Sequence, residues 1–237
     1  LFMTKSIALK AYLVSFLLCF CFANAQKPTL KTQYIYVDGQ NLYTPDHQKF
    51  LIQGTNVGNW LNPEAYMFFF EEVSSYRLIN QAFSEMVGPE FTKEFWRKFK
   101  KNYITEQDIK YIKSTGMNTV RVPFHYKQFT DEDYMGLTGR QDGFEILDQV
   151  IKWCKQNDLY VILDMHVAPG GQTGDNIDDS YGYPWLFTEK AYQDQFVDIW
   201  KQIATRYKNE PSILRYDLLN EPIAHYFEKD YGVLNTA

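Results

Sequence analysis

The sequence predicts an α/β fold: a parallel sheet covered by helices, forming part of a (β/α)8 TIM barrel and amounting to about its first four βα units. Three observations point there. Short β-branched runs, apolar on both faces, alternate with amphipathic helical stretches, the pattern of strands buried beneath helices. Successive strands end on residues that carry chemistry: Arg121, then His166, then Asn220-Glu221. In a barrel all parallel strands aim their C-terminal ends at one face, and catalysis sits there. Finally, the turn Gly54-Thr55-Asn56-Val57-Gly58-Asn59 lacks the third glycine and the helix entry of a dinucleotide-binding fingerprint. That disfavours a doubly wound sheet, which periodicity by itself leaves open.

The elements follow in order. Tyr34 to Val37 and Lys49 to Val57 read as strands separated by a polar turn segment with Asp38-Gly39 and Pro45-Asp46. Leu51–Val57 counts as the first barrel strand. Pro63 to Asn102 has helical patterning interrupted at Gly88-Pro89, and its run Met67-Phe68-Phe69-Phe70 is too apolar to be left in water. Thr105 reads as an N-cap with Asp108 in the acidic position of a capping box. That helix runs to Ser114, and Gly116 supplies a left-handed stop. Asn118–Val122 is the second strand, Gly143–Gln156 a helix, Leu159–Met165 the third strand, Glu189–Tyr207 a helix and Ile213–Leu219 the fourth strand.

Composition narrows the partners. The chain has 237 residues and a formal net charge of −5, with 24 basic against 29 acidic side chains, which argues against nucleic acid. Eighteen Tyr, 18 Phe and 5 Trp give a 17% aromatic share, suited to the flat apolar faces of a sugar chain or simply to an aromatic core. Residues 1–25 read as a secretory signal peptide: Lys5 and Lys10 lie at the start of an apolar run from Ala11 to Phe22, followed by Ala23-Asn24-Ala25. The remaining 26–237 form one incomplete catalytic-type domain, secreted, with no membrane attachment once the signal is cut. Cys154 is then the one remaining cysteine, within a helical pattern that reads as a buried structural thiol. His47, His125, His166 and His225 are scattered, and no spacing indicates a metal site or a cofactor.

The strand ends carry a resemblance. Arg121 in Asn118-Thr119-Val120-Arg121-Val122-Pro123, His166 in Asp164-Met165-His166-Val167-Ala168-Pro169-Gly170-Gly171-Gln172, and Asn220-Glu221-Pro222 resemble glycoside hydrolase family 5. The opening Gly54 to Leu61 with Pro63-Glu64, and Ile104-Thr105-Glu106-Gln107-Asp108, are similar to its branch of exo-β-1,3-glucanases. The resemblance spans Phe50 to Pro222. It implies a retaining hydrolase of a β-linked glucan, with Glu221 as acid/base and a nucleophilic Glu on a seventh strand outside this sequence. The fragment alone is therefore expected to hydrolyse nothing.

The residue types suit that chemistry. Retention needs two carboxyl groups about 5–5.5 Å apart, one of them kept protonated by partial desolvation. Asn220 suits a hydrogen bond to the sugar 2-hydroxyl. Arg121 would hold the nucleophile ionised, and His166 would donate to a sugar hydroxyl or position that carboxylate. Asp164 shares the His166 face and reads as either an orienting group or a structural one. Substrate-binding candidates are Asn56, Trp60 and Glu64 beyond strand one, His125 and Tyr126 beyond strand two, and Asp175, Asn176 and Trp185 in the loop after strand three. Tyr and Trp positions of this kind also serve plain packing. A polysaccharide or oligosaccharide is the expected partner. A non-catalytic carbohydrate-binding protein and a β-mannanase are the competing readings; Asn220-Glu221 favours an enzyme, since binding needs no proton donor.

Overall fold

The computed structural model describes residues 33–174 and 178–222. The signal-peptide reading and the candidates Asp175 and Asn176 fall outside them.

Strands β1 (Tyr36–Asp38), β2 (Asn41–Tyr43) and β3 (Lys49–Phe50) form an antiparallel meander. Tyr36 and Tyr43 face each other across it, rings stacked 5.7 Å apart. Four further strands, β4 (Gly54–Asn56), β5 (Thr119–His125), β6 (Tyr160–Val167) and β7 (Ile213–Asp217), pair in parallel in the order β4-β5-β6-β7. Sequential order without reversal is the path of a barrel wall, whereas a doubly wound sheet turns back at its switch point.

The run Lys49–Val57 is thus two strands in two sheets, not one. The link Leu51–Gln53 is exposed, and Asn118 takes its backbone groups: Gln53 N–H donates to Asn118 Oδ1 at 3.0 Å and Asn118 Nδ2 donates to Leu51 O at 2.8 Å. An apolar run cannot say which sheet each half joins. Gly54 is required at the crossing, since a Cβ there would lie 2.2 Å from Thr119 O.

Between β4 and β5 lie a 3₁₀ turn (Ala65–Phe68) and helices α1 (Tyr76–Val87), α2 (Pro89–Asn102) and α3 (Glu106–Ser114). Proline opens α2, where its missing N–H is harmless. The capping box of α3 forms, with Thr105 N–H donating to the Asp108 carboxylate at 2.7 Å. Helix α4 (Arg140–Gln156) follows β5 and α5 (Lys190–Tyr207) follows β6. The outward residues of the strands, Val120, Val122, Phe124, Val161, Leu163 and Met165, are buried against Leu147, Val150, Ile151, Ile199 and Ile203. Cys154 belongs to that core, and burial pushes its thiol up to about 12. Among the described residues no helix is long and apolar enough to cross a membrane.

A second cluster joins Tyr76, Ile79 and Trp96 to Phe68, Phe70, Phe83, Phe95 and Phe99. Two of the run Met67–Phe70 therefore do pack, but Phe69 is 92% exposed. The 3₁₀ turn ends on Phe69 in the left-handed region, φ 60°, which turns its side chain outward.

Lys100 of α2 is buried beside this cluster, its ammonium donating to Met135 O at 2.6 Å and lying 5.6 Å from the Trp96 and Tyr134 ring centroids. Burial pulls its pKa down to about 7 from 10.5. The unfolded chain thus holds more protons between those values, and stability rises with pH across that window. From about pH 9 the Cys154 thiol and then the buried phenols Tyr76 and Tyr134, whose ionisation burial opposes, work against the trend. Urea unfolding of the full-length protein from pH 6 to pH 8.5 is expected to show a gain on the order of 2 kcal/mol, flattened in Lys100→Met. A flat wild-type profile would contradict the burial argument.

Candidate active site

Strand alternation builds the site. With Val120, Val122 and Phe124 turned to the helices, Arg121 faces the inside of the sheet's curve; on β6, Asp164 and His166 share that side. Register sets Asn56 beside Arg121, and Pro123, Asp164 and Asp217 in one row. Beyond β7 the chain runs Leu218 to Pro222 without a strand ladder, so local hydrogen bonds hold it. Trp200 Nε1–H donates to Leu218 O at 3.0 Å, and Asn220 N–H donates to Met165 O at 3.1 Å.

Arg121 is the hub. Its Nη2 lies 2.9 Å from Asp164 Oδ2, 3.0 Å from Asp217 Oδ2 and 3.0 Å from Asn220 Oδ1, while Nε donates to Asp217 at 3.1 Å. Asp164 is fully buried and also takes His166 Nδ1–H at 2.8 Å. Burial dominates its titration and raises the carboxyl above its ordinary range, against the pull of His166 and Arg121. With Nδ1–H committed to Asp164, His166 Nε2 accepts from Asn220 Nδ2 at 3.4 Å. Glu64 Oε1 stands 4.0 Å from Nε2. The Glu64 carboxylate in turn raises the phenol pKa of its neighbour Tyr66.

These groups border a cleft of about 430 Å³ that brings together Asn56, Glu64, Arg121, His166, Asn220 and Glu221. A volume of that order suits a small organic ligand, and carboxylates, amides and a guanidinium on one rim suit a polyhydroxylated one. Tyr66, Phe70 and Tyr76 add aromatic wall. Among the described residues no group of His, Cys, Asp and Glu is placed to hold a metal ion.

Several expectations need correction. Trp60 is buried, its indole N–H donating to Lys100 O at 2.7 Å. It borders a separate 560 Å³ cavity between α2 and α4. His125 is fully buried, with Tyr76, Tyr126 and Tyr134 ring centroids 4.5–5.1 Å away and Nε2 3.1 Å from Asp179 Oδ2. Burial lowers its pKa. A register shift between Phe124 and His125 accompanies its turn into this aromatic nest. Tyr126 stacks on His125 in the same nest and Trp185 packs on Tyr183 at 4.6 Å; neither borders the cleft. Glu221, expected to be partly desolvated, is exposed, because β7 is the edge strand among the described residues. Its φ of 41° places it in the left-handed region, an arrangement that costs about 1–3 kcal/mol and clusters at functional sites.

Two contributors escaped the sequence reading: Asp217, whose alternation with Arg215 on β7 was the available signal, and Gln172, which bridges β6 to Asn220.

Residues 81–229 match the family described as Cellulase (glycosyl hydrolase family 5), and the chain belongs to that family. Among curated proteins it is similar to a β-xylosidase of Phanerodontia chrysosporium, 32% identical over 194 residues, 81% of this chain and 40% of that protein. Endoglucanase C of Acetivibrio thermocellus is 38% identical over 133 residues, 56% of this chain and 36% of that protein. A glucan 1,3-beta-glucosidase of Lachancea kluyveri is 31% identical over 199 residues, 78% of this chain and 44% of that protein. The chain thus spans less than half the length of these relatives.

Proposed function

We propose that the full-length protein is a secreted retaining hydrolase of a β-linked glucan, with Glu221 as its acid/base. The observation that carries this reading is the meeting of Asn220-Glu221 with Arg121, His166 and Glu64 on one cleft. In the first step Glu221 donates its proton to the glycosidic oxygen as the bond to the anomeric carbon breaks. A nucleophilic carboxylate from a later strand bonds to that carbon from the opposite face. In the second step Glu221 takes a proton from water, whose oxygen displaces the enzyme carboxylate. Asn220 holds the sugar 2-hydroxyl, while the Arg121–Asp164–His166 network fixes its amide. The arrangement supports this division of labour because Asn220 Oδ1 is already occupied by Arg121, which leaves its Nδ2–H₂ to face His166 and substrate.

The family and two of the three relatives, an endoglucanase and a glucan 1,3-beta-glucosidase, favour β-glucan, with β-1,3 and β-1,4 linkages both open. The β-xylosidase relative makes a xyloside the competing substrate. Reducing-sugar release from laminarin, β-1,4-glucan, mannan and xylan tests the proposal. A β-glucan is expected to be cleaved at least about tenfold faster than mannan or xylan, a gap of roughly 1.4 kcal/mol in transition-state binding. Binding of all four without cleavage would favour a carbohydrate-binding protein instead.

A further inference from the structure

The loop after β6 is tied to the acid/base by one buried side chain. Gln172 is fully buried, and its Nε2–H₂ donates to His166 O at 2.8 Å and to Asn220 O at 3.0 Å. Its Oε1 accepts from Ala168 N–H at 3.2 Å. All polar atoms of the amide are therefore spent on main-chain groups of two neighbouring strand ends. The loop that carries Gln172 is itself anchored. Asp178, 1% exposed, accepts from the backbone N–H of Gln172 at 2.8 Å, of Thr173 at 2.7 Å and of Ser180 at 2.8 Å. Gly171, at φ 78°, lets the chain pass, since a Cβ there would lie 2.7 Å from Asp178 Oδ1.

The bond to Asn220 O matters most. That carbonyl belongs to the peptide that leads into Glu221, and β7 has ended at Asp217. Asn220 N–H is held by Met165 O and Asn220 C=O by Gln172, so each of the two peptide planes that meet at the Asn220 Cα carries one hydrogen bond. The Cα of Glu221 lies in the plane that Gln172 holds, and the one backbone rotation that then aims its side chain is φ, which stands at 41°, a conformation no sheet ladder enforces. We propose that Gln172 is a positioning residue for Glu221, its side-chain amide orienting the peptide from which the acid projects; this rests on the reading of Glu221 as acid/base. Leucine takes the side-chain partner from three main-chain groups, His166 O, Asn220 O and Ala168 N–H, and an ionised glutamate aims an acceptor at two carbonyl oxygens.

Leaving-group dependence separates positioning from plain structural support. Phenolate leaves poorly and needs the proton; dinitrophenolate leaves without it. In the full-length protein Gln172→Leu is expected to lower kcat/KM on phenyl β-glucoside by about 10²-fold, the effect of a misplaced catalytic group. On dinitrophenyl β-glucoside kcat/KM, which reads the first step with a leaving group that needs no proton, is expected to stay within about threefold, while kcat falls because Glu221 also activates the water of the second step. Gln172→Glu is expected to show the same selectivity at neutral pH and to recover on phenyl β-glucoside as pH falls and its carboxyl regains a proton. Should Q172L fail to fold, Q172E carries the test. Equal losses of kcat/KM on both glucosides, no loss on either, or loss of folded protein in both variants would overturn the proposal. Glu221→Ala run alongside keeps the two claims apart: without leaving-group selectivity in that variant, the reading of Glu221 fails, whatever Gln172 does.

Discussion

Replacing Glu221 with Ala in the full-length protein is expected to lower turnover of an unactivated β-glucan by about 10²–10⁴-fold, the usual contribution of a positioned proton donor. KM is expected to change little, because the Glu221 side chain is exposed on the rim of the cleft. Steady-state kinetics on soluble β-glucan with the purified variant checks this. Turnover within threefold of wild type would remove Glu221 from the proton-transfer role. Glu221→Gln, which keeps the shape and loses the acid, is expected to fall as far, so that a shape defect and a lost proton are told apart.

The second large effect concerns stability. Arg121 is the cation shared by Asp164 and Asp217, and the Asp164 side chain is fully buried. Arg121→Leu leaves that carboxylate without its guanidinium, and removing one partner of a buried pair typically costs about 3–5 kcal/mol. The pH dependence has a definite sign. Burial already raises the Asp164 carboxyl in the native state, so its ionisation opposes folding as pH rises above the unfolded value. Loss of Arg121 raises it further and carries that opposition to higher pH. The deficit of Arg121→Leu, measured by urea unfolding, is therefore expected to be larger at pH 8 than at pH 5. Asp164→Asn in the same background is expected to recover much of it. A deficit of the same size at both pH values would contradict the account of Asp164.

Local signals were readable in the sequence and long-range ones were not. The Thr105–Asp108 box and the Gly88-Pro89 break are set within a few residues, and both formed as read. Strands β5 and β6 were legible because two buried faces leave a nearly continuous apolar run. The strand-end rule put Arg121, His166, Asn220 and Glu221 on one rim, since parallel strands leave no other choice. It does not say how a residue beyond a strand end is rotated. Trp60 turned into the core toward a carbonyl 40 residues on, and His125 turned into a nest of tyrosines opposite Asp179, 54 residues on. Asp217 takes on its role only once Arg121, 96 residues earlier, is in place. Gln172 was legible as part of a motif, but its hydrogen bond to Asn220 O spans 48 residues and exists only in the folded chain.

The central claim is that Glu221 handles the proton while another carboxylate forms the covalent intermediate. Azide tests it most directly, because it needs no general base. Added to the Glu221→Ala variant turning over dinitrophenyl β-glucoside, azide attacks the glycosyl–enzyme, displaces the enzyme carboxylate and releases a glycosyl azide. The prediction is β-glucosyl azide as the product, with turnover rising by about tenfold or more as azide replaces water, whose activation is worth about 10²–10⁴. An α-glucosyl azide would make Glu221 the nucleophile, and no azide adduct at all would contradict a covalent double displacement at this rim.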